Sequence, residues 1–176
     1  FIDTDNYEDY TTFESGSHIR SLSMSRDGNV IVFGDTDKKL YRFGNETWIG
    51  DLNRETTAIG VSGNGHYIAT GENGGKISLF SSTSNTSLWS TDSGGARDAL
   101  DIEMSFEGDI FVVGKAKGGS ANGVTQVFGK EDSDVLWSFT APGDHNVDIS
   151  GDGQIIVIGT EVFQSQSEEN GKFFMY

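Results

Sequence analysis

Carboxylates, histidines and turn asparagines are the side chains here whose spacing could support chemistry. Asp101, Glu103, Asn146 and Asp148 alternate with apolar residues in Asp101-Ile102-Glu103 and Asn146-Val147-Asp148. Brought together in space, such carboxylates are the machinery of glycan cleavage, one acting as acid and the other as base or nucleophile. Asp3-x-Asp5, followed by Glu8 and Asp9, matches the first positions of a calcium loop, because a hard cation needs clustered oxygen ligands. The spaced Gly and distal Glu of the EF-hand loop are absent, so the segment reads first as a solvated acidic linker. Calcium at Asp3, Asp5 and Asp9 is the one cofactor the sequence suggests. His18, His66 and His145 fall in different parts of the chain with no carboxylate placed to orient them, and read as solvated turn residues. No Ser stands in a G-x-S-x-G elbow. The absence of Cys excludes disulfides, thiolate metal sites and cysteine nucleophiles. Asn45-Glu46-Thr47 and Asn85-Thr86-Ser87 are glycosylation sequons.

The charge narrows the partners. Twelve Lys and Arg against 27 Asp and Glu leave a formal charge of −15, which repels phosphate backbones and anionic lipid surfaces. Nucleic acid is therefore not an expected partner. No segment approaches the roughly 20 apolar residues of a membrane span, so membrane insertion is not expected either. The chain opens on Phe1 without an initiating Met, as a processed chain or an excerpt of a longer one would.

The elements that must position these residues repeat. SMSRDGNVIVFG, GVSGNGHYIATG, EMSFEGDIFVVG and DISGDGQIIVIG align, with turn glycines at Gly28, Gly65, Gly108 and Gly153 and closing glycines at Gly34, Gly71, Gly114 and Gly159. Each is followed by a third motif ending at Phe43, Phe80, Phe128 or Tyr176, and three by a fourth centred on Trp48, Trp89 or Trp137. Apolar residues alternate in the first motif, as in Leu22/Met24, Ile59/Val61, Ile102/Met104 and Val147/Ile149, which predicts a strand with one buried face. A two-residue Asp-Gly, Asn-Gly or Glu-Gly hairpin turn is expected after it. The second motif is apolar at consecutive positions, as a strand covered on both sides would be.

Four strands per unit make one antiparallel sheet, whose apolar faces need neighbours. Repetition around an axis supplies them, so the expected class is an all-β propeller of four-stranded blades. Blade 1 is expected over 19–57, blade 2 over 58–98, blade 3 over 99–143 and blade 4 over 144–176, the last without its own outer strand. Residues 1–18 form an acidic segment, and Asp9–Phe13 within it read as a strand completing a neighbouring blade or the last one. The two readings correspond to part of a larger ring, reached in one form by self-association, and to a closed four-blade ring. The recurring aromatics and tryptophans read as packing between blades.

The S-x-D/N-G turns (SRDG, SGNG, SGDG), the G-K-I-S-L-F type third strands and the two L-W-S triplets resemble the WD-repeat-like and quinone-enzyme-like propellers of large bacterial and archaeal proteins. The resemblance spans Ile19 to Tyr176. It implies a fold used at cell surfaces as a rigid scaffold.

Scaffold turns stay short and binding loops grow. The segments 115–123 and 161–171 are longer than their counterparts 35–38 and 72–75, and they belong to adjacent blades. A recognition surface is therefore expected at Arg97, Asp98, Lys115, Lys117, Asp144, His145, Glu161 and Phe163. With Asn45 and Asn85 in matching outer turns as glycosylation candidates, the sequence predicts a non-enzymatic scaffold outside the cell or on its surface, binding a protein or glycan. The alternatives are a glycan-processing enzyme using the channel carboxylates and a cytoplasmic scaffold.

Overall fold

The computed structural model describes residues 2–3, 6–10, 12–92, 98–116, 122–164 and 168–175, with the backbone alone for 2–3, 6–10, 162–164 and 168–171. Strands β1 (Ile2–Asp3) and β2 (Asn6–Tyr10) pair with each other. The first four-stranded sheet is β3 (Ile19–Met24), β4 (Val30–Asp35), β5 (Lys39–Gly44) and β6 (Trp48–Asp51). The second is β7 (Thr56–Val61), β8 (Tyr67–Glu72), β9 (Lys76–Ser81) and β10 (Ser87–Asp92), and the third is β11 (Ala99–Met104), β12 (Ile110–Lys115), β13 (Asn122–Gly129) and β14 (Val135–Pro142). β15 (Asp144–Ile149), β16 (Ile156–Gln164) and β17 (Glu168–Met175) make a three-stranded fourth sheet. Every pairing within the sheets is antiparallel between sequence neighbours, and no helix occurs among the described residues. The four sheets are propeller blades.

The blades stack through their innermost strands, β3 on β7, β7 on β11 and β11 on β15. The apolar core therefore lies between sheets. Val30, Val32 and Leu40 of blade 1 pack on Ile59, Val61, Ile68 and Phe80 of blade 2. Ala58, Ala69, Ile77 and Leu79 of blade 2 meet Ile102, Met104, Phe111 and Phe128 of blade 3, and Val112 and Val127 meet Val147, Ile149 and Ile158 of blade 4. The tryptophans bridge these seams. The Trp48 ring lies 6.5 Å from Phe80, and that of Trp89 lies 5.8 Å from Phe111 and 6.0 Å from Phe128. The indole N–H groups of these two donate to a carbonyl of the following blade, Trp48 to Ser82 O at 2.8 Å and Trp89 to Lys130 O at 3.0 Å.

Closing glycines make the close approach possible. A Cβ on Gly34 would lie 2.4 Å from the Thr56 hydroxyl, one on Gly71 2.3 Å from Ala99, and one on Gly114 2.3 Å from the His145 carbonyl oxygen. At Gly159 the same Cβ would meet nothing within 4 Å among the described residues.

Three expectations are corrected in detail. The turn after each first strand is longer than a two-residue hairpin: Ser25 N–H donates to Val30 O, with Gly28 at φ 74° between them. Ser25 Oγ donates to Asp27 and accepts from Val30 N–H, while Asp27 also accepts from Asn29 N–H. Ser62/Asn64 and Ser150/Asp152 repeat this arrangement, so the serine and the Asp or Asn build the turn with the glycine. Second, the long segment of blade 4 is mostly strand, whereas in blade 3 β12 stops at Lys115 and β13 starts at Asn122, with 117–121 outside the described residues. β16 and β17 pair as far as Gln164↔Glu168, and β13 and β14 as far as Asn122↔Pro142. Third, β2 covers Asn6–Tyr10 rather than 9–13, and Phe13 lies outside any strand, packed 4.9 Å from Phe43 and 5.6 Å from Phe33.

Candidate functional site

Two features compete for function: the carboxylates of the innermost strands, and the edge formed by the extended hairpin of blade 4 beside blade 3. Alternation along β11 and β15 turns Ile102, Met104, Val147 and Ile149 into the seams and leaves Glu103, Asn146 and Asp148 exposed towards the propeller axis. Asp101 is half-buried, and its Oδ2 accepts from Val147 N–H at 2.9 Å, joining blade 3 to blade 4. Although the side chain is open to the axis, desolvation among the neighbouring innermost strands pushes the Glu103 carboxyl up to about 7, with the nearby charges of Asp101 and Asp148 adding to the effect. Two strands thus bring the sequence-expected carboxylates to one place and give one of them a proton affinity suited to acid–base work.

The Glu103 shift also has a thermodynamic sign. Its folded value of about 7 lies above the ordinary 4.5, so between those values the folded chain holds the proton more tightly, and folding loses stability as pH rises through that window. Glu103→Gln removes this slope. The variant is expected to gain stability relative to the parent between about pH 5 and pH 8 in paired urea titrations. Parallel pH profiles for the two proteins would contradict that assignment.

Of the eight residues expected to form a recognition surface, Lys115 is 1% exposed and His145 0%. Neither side chain belongs to an outer surface. Lys115 follows closing Gly114, and its counterparts Asp35, Glu72 and Thr160 are buried too, so this position feeds the polar interior of every blade. His145 is a joint between blades 3 and 4. Its Nε2–H donates to the Ala141 carbonyl at 3.1 Å, which leaves Nδ1 to accept from the Thr125 hydroxyl at 2.9 Å. Burial pushes its pKa down, in keeping with a neutral ring. Asp98 is half-buried and accepts from Gly74 N–H at 2.7 Å, fastening the tight turn of blade 2. The sequence carried no sign of this role, because the two residues are 24 apart.

Asp144 is half-buried and Glu161 exposed, the two standing opposite each other in the β15–β16 ladder. For Phe163 only the backbone is described, within β16. Arg97 and Lys117 lie outside the described residues, as do Asp5 of the calcium candidate and Tyr176. Asp3 and Asp9 are placed by backbone alone in β1 and β2. His18 and His66 are exposed. Asn45 and Asn85 are exposed in the turns joining β5 to β6 and β9 to β10, and Asn85 donates to Ile49 O at 3.2 Å. Both sequons thus face solvent on the outside of their blades.

This architecture is that of a WD-repeat-like β-propeller. Among solved structures, the crystal structure of RRP9 WD40 repeats superposes on it with a TM-score of 0.68 at 12% identity, over 85% of this chain and 47% of the other. The chain therefore spans about half the length of that propeller. At this identity the likeness establishes the fold. No family model matches the sequence, and no curated protein does.

Proposed function

We propose that the chain is a non-enzymatic scaffold that presents the extended hairpin of blade 4, with the adjoining edge of blade 3, to a protein or glycan outside the cell. The observation that carries this reading is the unequal length of the strands. β8 and β9 are six residues each and close on a tight turn, whereas β16 has nine residues and β17 eight. The extra length all lies on the side where second and third strands connect, so it adds nothing to the seams between blades. An ordered ladder that rises beyond the core and costs conformational entropy is a feature expected of a contact surface. The acidity of the chain favours a basic or neutral partner. The two exposed sequons in equivalent turns support passage through a secretory route. Expression in a glycosylating host is expected to add sugar at Asn45 and Asn85, read as intact mass; the unmodified mass in such a host would count against the extracellular reading.

A polysaccharide array tests the choice between scaffold and enzyme. The scaffold reading expects retention of the chain on some members, loss of that retention when 162–170 is replaced by the Asn-Gly-Gly turn of blade 2, and no new reducing ends in solution. Enzymatic glycan cleavage is the second reading, favoured by the raised proton affinity of Glu103 beside Asp101 and Asp148. Release of reducing or unsaturated ends that disappears in both Glu103→Gln and Asp148→Asn would replace the scaffold reading with this one.

A further inference from the structure

The seam between blades 1 and 2 differs from the other two in its buried polar groups. Among the described residues six buried side-chain atoms have no hydrogen-bond partner: Arg42 Nε, Thr56 Oγ1, Thr70 Oγ1, Glu72 Oε2, Gln126 Oε1 and Thr160 Oγ1. The first four belong to this seam. Arg42 stands opposite Val32 and Thr70 opposite Ile59, and both apolar residues are part of the core between blades 1 and 2. Thr56 lies against Gly34 of blade 1 and pairs with Glu72 in the β7–β8 ladder. Gln126 and Thr160 fall one in each of the remaining seams, opposite Val113 and two residues beyond Ile158. Buried polar atoms of a folded chain are nearly always hydrogen-bonded, so four in one seam mark a place for a polar guest. Glu72 has the clearest need of one. Ser78 Oγ donates to its Oε1 at 2.9 Å and Lys76 Nζ lies 3.3 Å from the same oxygen, which leaves Oε2 without a donor in a fully buried side chain.

A cleft of about 270 Å³ opens between the outer strands of the same two blades. Asp51 and Asn53 of blade 1 form one side, and Lys76, Ser78 and Phe80 of β9 the other. Ser78 and Lys76 join the cleft to Glu72, because each lines the one and contacts the other. The volume lies just under the roughly 300 Å³ at which small-molecule sites begin, enough for one ring and too little for a chain. The chemistry of the walls narrows the guest further. An anion would meet Asp51 in a chain of charge −15, and the ammonium in the wall is already paired with Glu72. A metal ion finds no group of three or more His, Cys, Asp or Glu among the described residues. Carboxylate, amide, hydroxyl and ammonium together call for a neutral molecule whose groups both donate and accept, and Phe80 adds an apolar surface. A sugar ring has both properties.

We propose that this cleft seats one neutral sugar residue, which spans the seam and ties blade 1 to blade 2. One of its hydroxyls donates to the Glu72 oxygen that Ser78 and Lys76 leave free, and others bond to Asp51 and Asn53. The sugar has two sources. It is the end residue of a glycan brought by a partner, or the first residue of a glycan carried by Asn85, whose sequon Asn85-Thr86-Ser87 lines the same cleft. The Asn85 amide donates one hydrogen to Ile49 O at 3.2 Å, and the other is the one that linkage replaces. The donor for that step is an oligosaccharide diphosphate. The amide nitrogen bonds to C1 of the sugar, the bond from C1 to the phosphate oxygen breaks with its electron pair on the diphosphate, and the amide proton passes to solvent. Tethering holds the sugar at its seat at an effective concentration of roughly millimolar or above. The linked source rests on the secretory reading above, and the seat itself does not.

Amide NMR of the isotope-labelled chain, made in a host that adds no glycan, tests the seat. Glucose, galactose, mannose and N-acetylglucosamine are each added to about 50 mM, and at least one is expected to shift the Lys76 and Ser78 amides saturably with a Kd of about 1–10 mM. Asn53→Trp fills the cleft from an exposed position, so it is expected to keep the parent's circular dichroism and to weaken binding by about tenfold or more. The same spectra are then taken of the chain from a glycosylating host, with the glycan trimmed to its first N-acetylglucosamine. If Asn85 carries the occupant, the Lys76 and Ser78 amides are shifted before any sugar is added, and Ser87→Ala, which removes the sequon and keeps Asn85, abolishes the shift. If a partner brings it, the linked chain still answers to added sugar. No saturable shift in the bare chain together with none at Lys76 and Ser78 in the linked one would overturn the seat, as would shifts that Asn53→Trp leaves unchanged. An unmodified mass ends the linked source together with the secretory reading, and the bare chain alone then decides. The blade 4 hairpin is intact in every variant, so retention on the polysaccharide array is read separately.

Discussion

Trp89→Ala is expected to lower the unfolding free energy by about 3 kcal/mol, near the low end for loss of a large aromatic because the ring is only partly buried. For a chain of this size that corresponds to a fall of roughly 6–12 °C in Tm. The ring stacks across the second seam on Phe111 and Phe128, and its N–H holds the Lys130 carbonyl. Truncation therefore opens a cavity between two blades and removes a hydrogen bond together. Trp89→Phe separates the two contributions. It keeps most of the stacking and loses the donor, and is expected to cost about 1 kcal/mol. Differential scanning calorimetry of the three proteins checks the ranking; a Trp89→Ala midpoint within 2 °C of the parent would show that the tryptophan is not a seam residue.

The second large effect concerns a single added methyl group. Gly114→Ala places Cβ 2.3 Å from the carbonyl oxygen of His145. Because the obstacle is backbone, relief requires blades 3 and 4 to move apart, which weakens the packing of Val112 and Val127 on Val147 and Ile149. Overpacking of this kind costs about 2–3 kcal/mol. Gly159→Ala is the matched control: it changes the equivalent residue of the last blade, where nothing lies within 4 Å, and is expected to fall within about 0.5 kcal/mol of the parent in a single chain. Urea midpoints at low micromolar concentration compare the two. Equal effects would mean that glycine is required at this position for reasons internal to the strand.

The propeller was legible in the sequence because its defining signals are local and repeated. Period-two alternation, a glycine closing the second strand and a tryptophan in the fourth recur in register, and each corresponds to a short-range physical need. Turn chemistry was legible in part. The glycine stood out, but the role of Ser25 as both donor and acceptor depends on a pairing five residues away. The recognition surface was the weakest expectation, because exposure is not a local property. Lys115 and His145 are polar and lie near segments of irregular length, which made them candidates, yet both face the interior, where His145 links Thr125 to Ala141. In blade 4, segment length was read as looping when the extra residues prolong a ladder, a difference set by cross-strand partners. The juxtaposition of Asp101, Glu103 and Asp148 was recoverable only once both segments were assigned to innermost strands.

The placement of the core at the seams, with little apolar packing inside any one sheet, decides how the molecule comes apart. A middle blade is clamped from two sides and an end blade of the lone chain from one, so local opening begins at the ends and travels inward, blade by blade, as in a stack with nearest-neighbour coupling. Backbone amides of β8 and β12 exchange with deuterium slowest, and those of β4 and β16 sooner. A partner that seals the open flanks would even out this gradient without touching a residue of the middle blades.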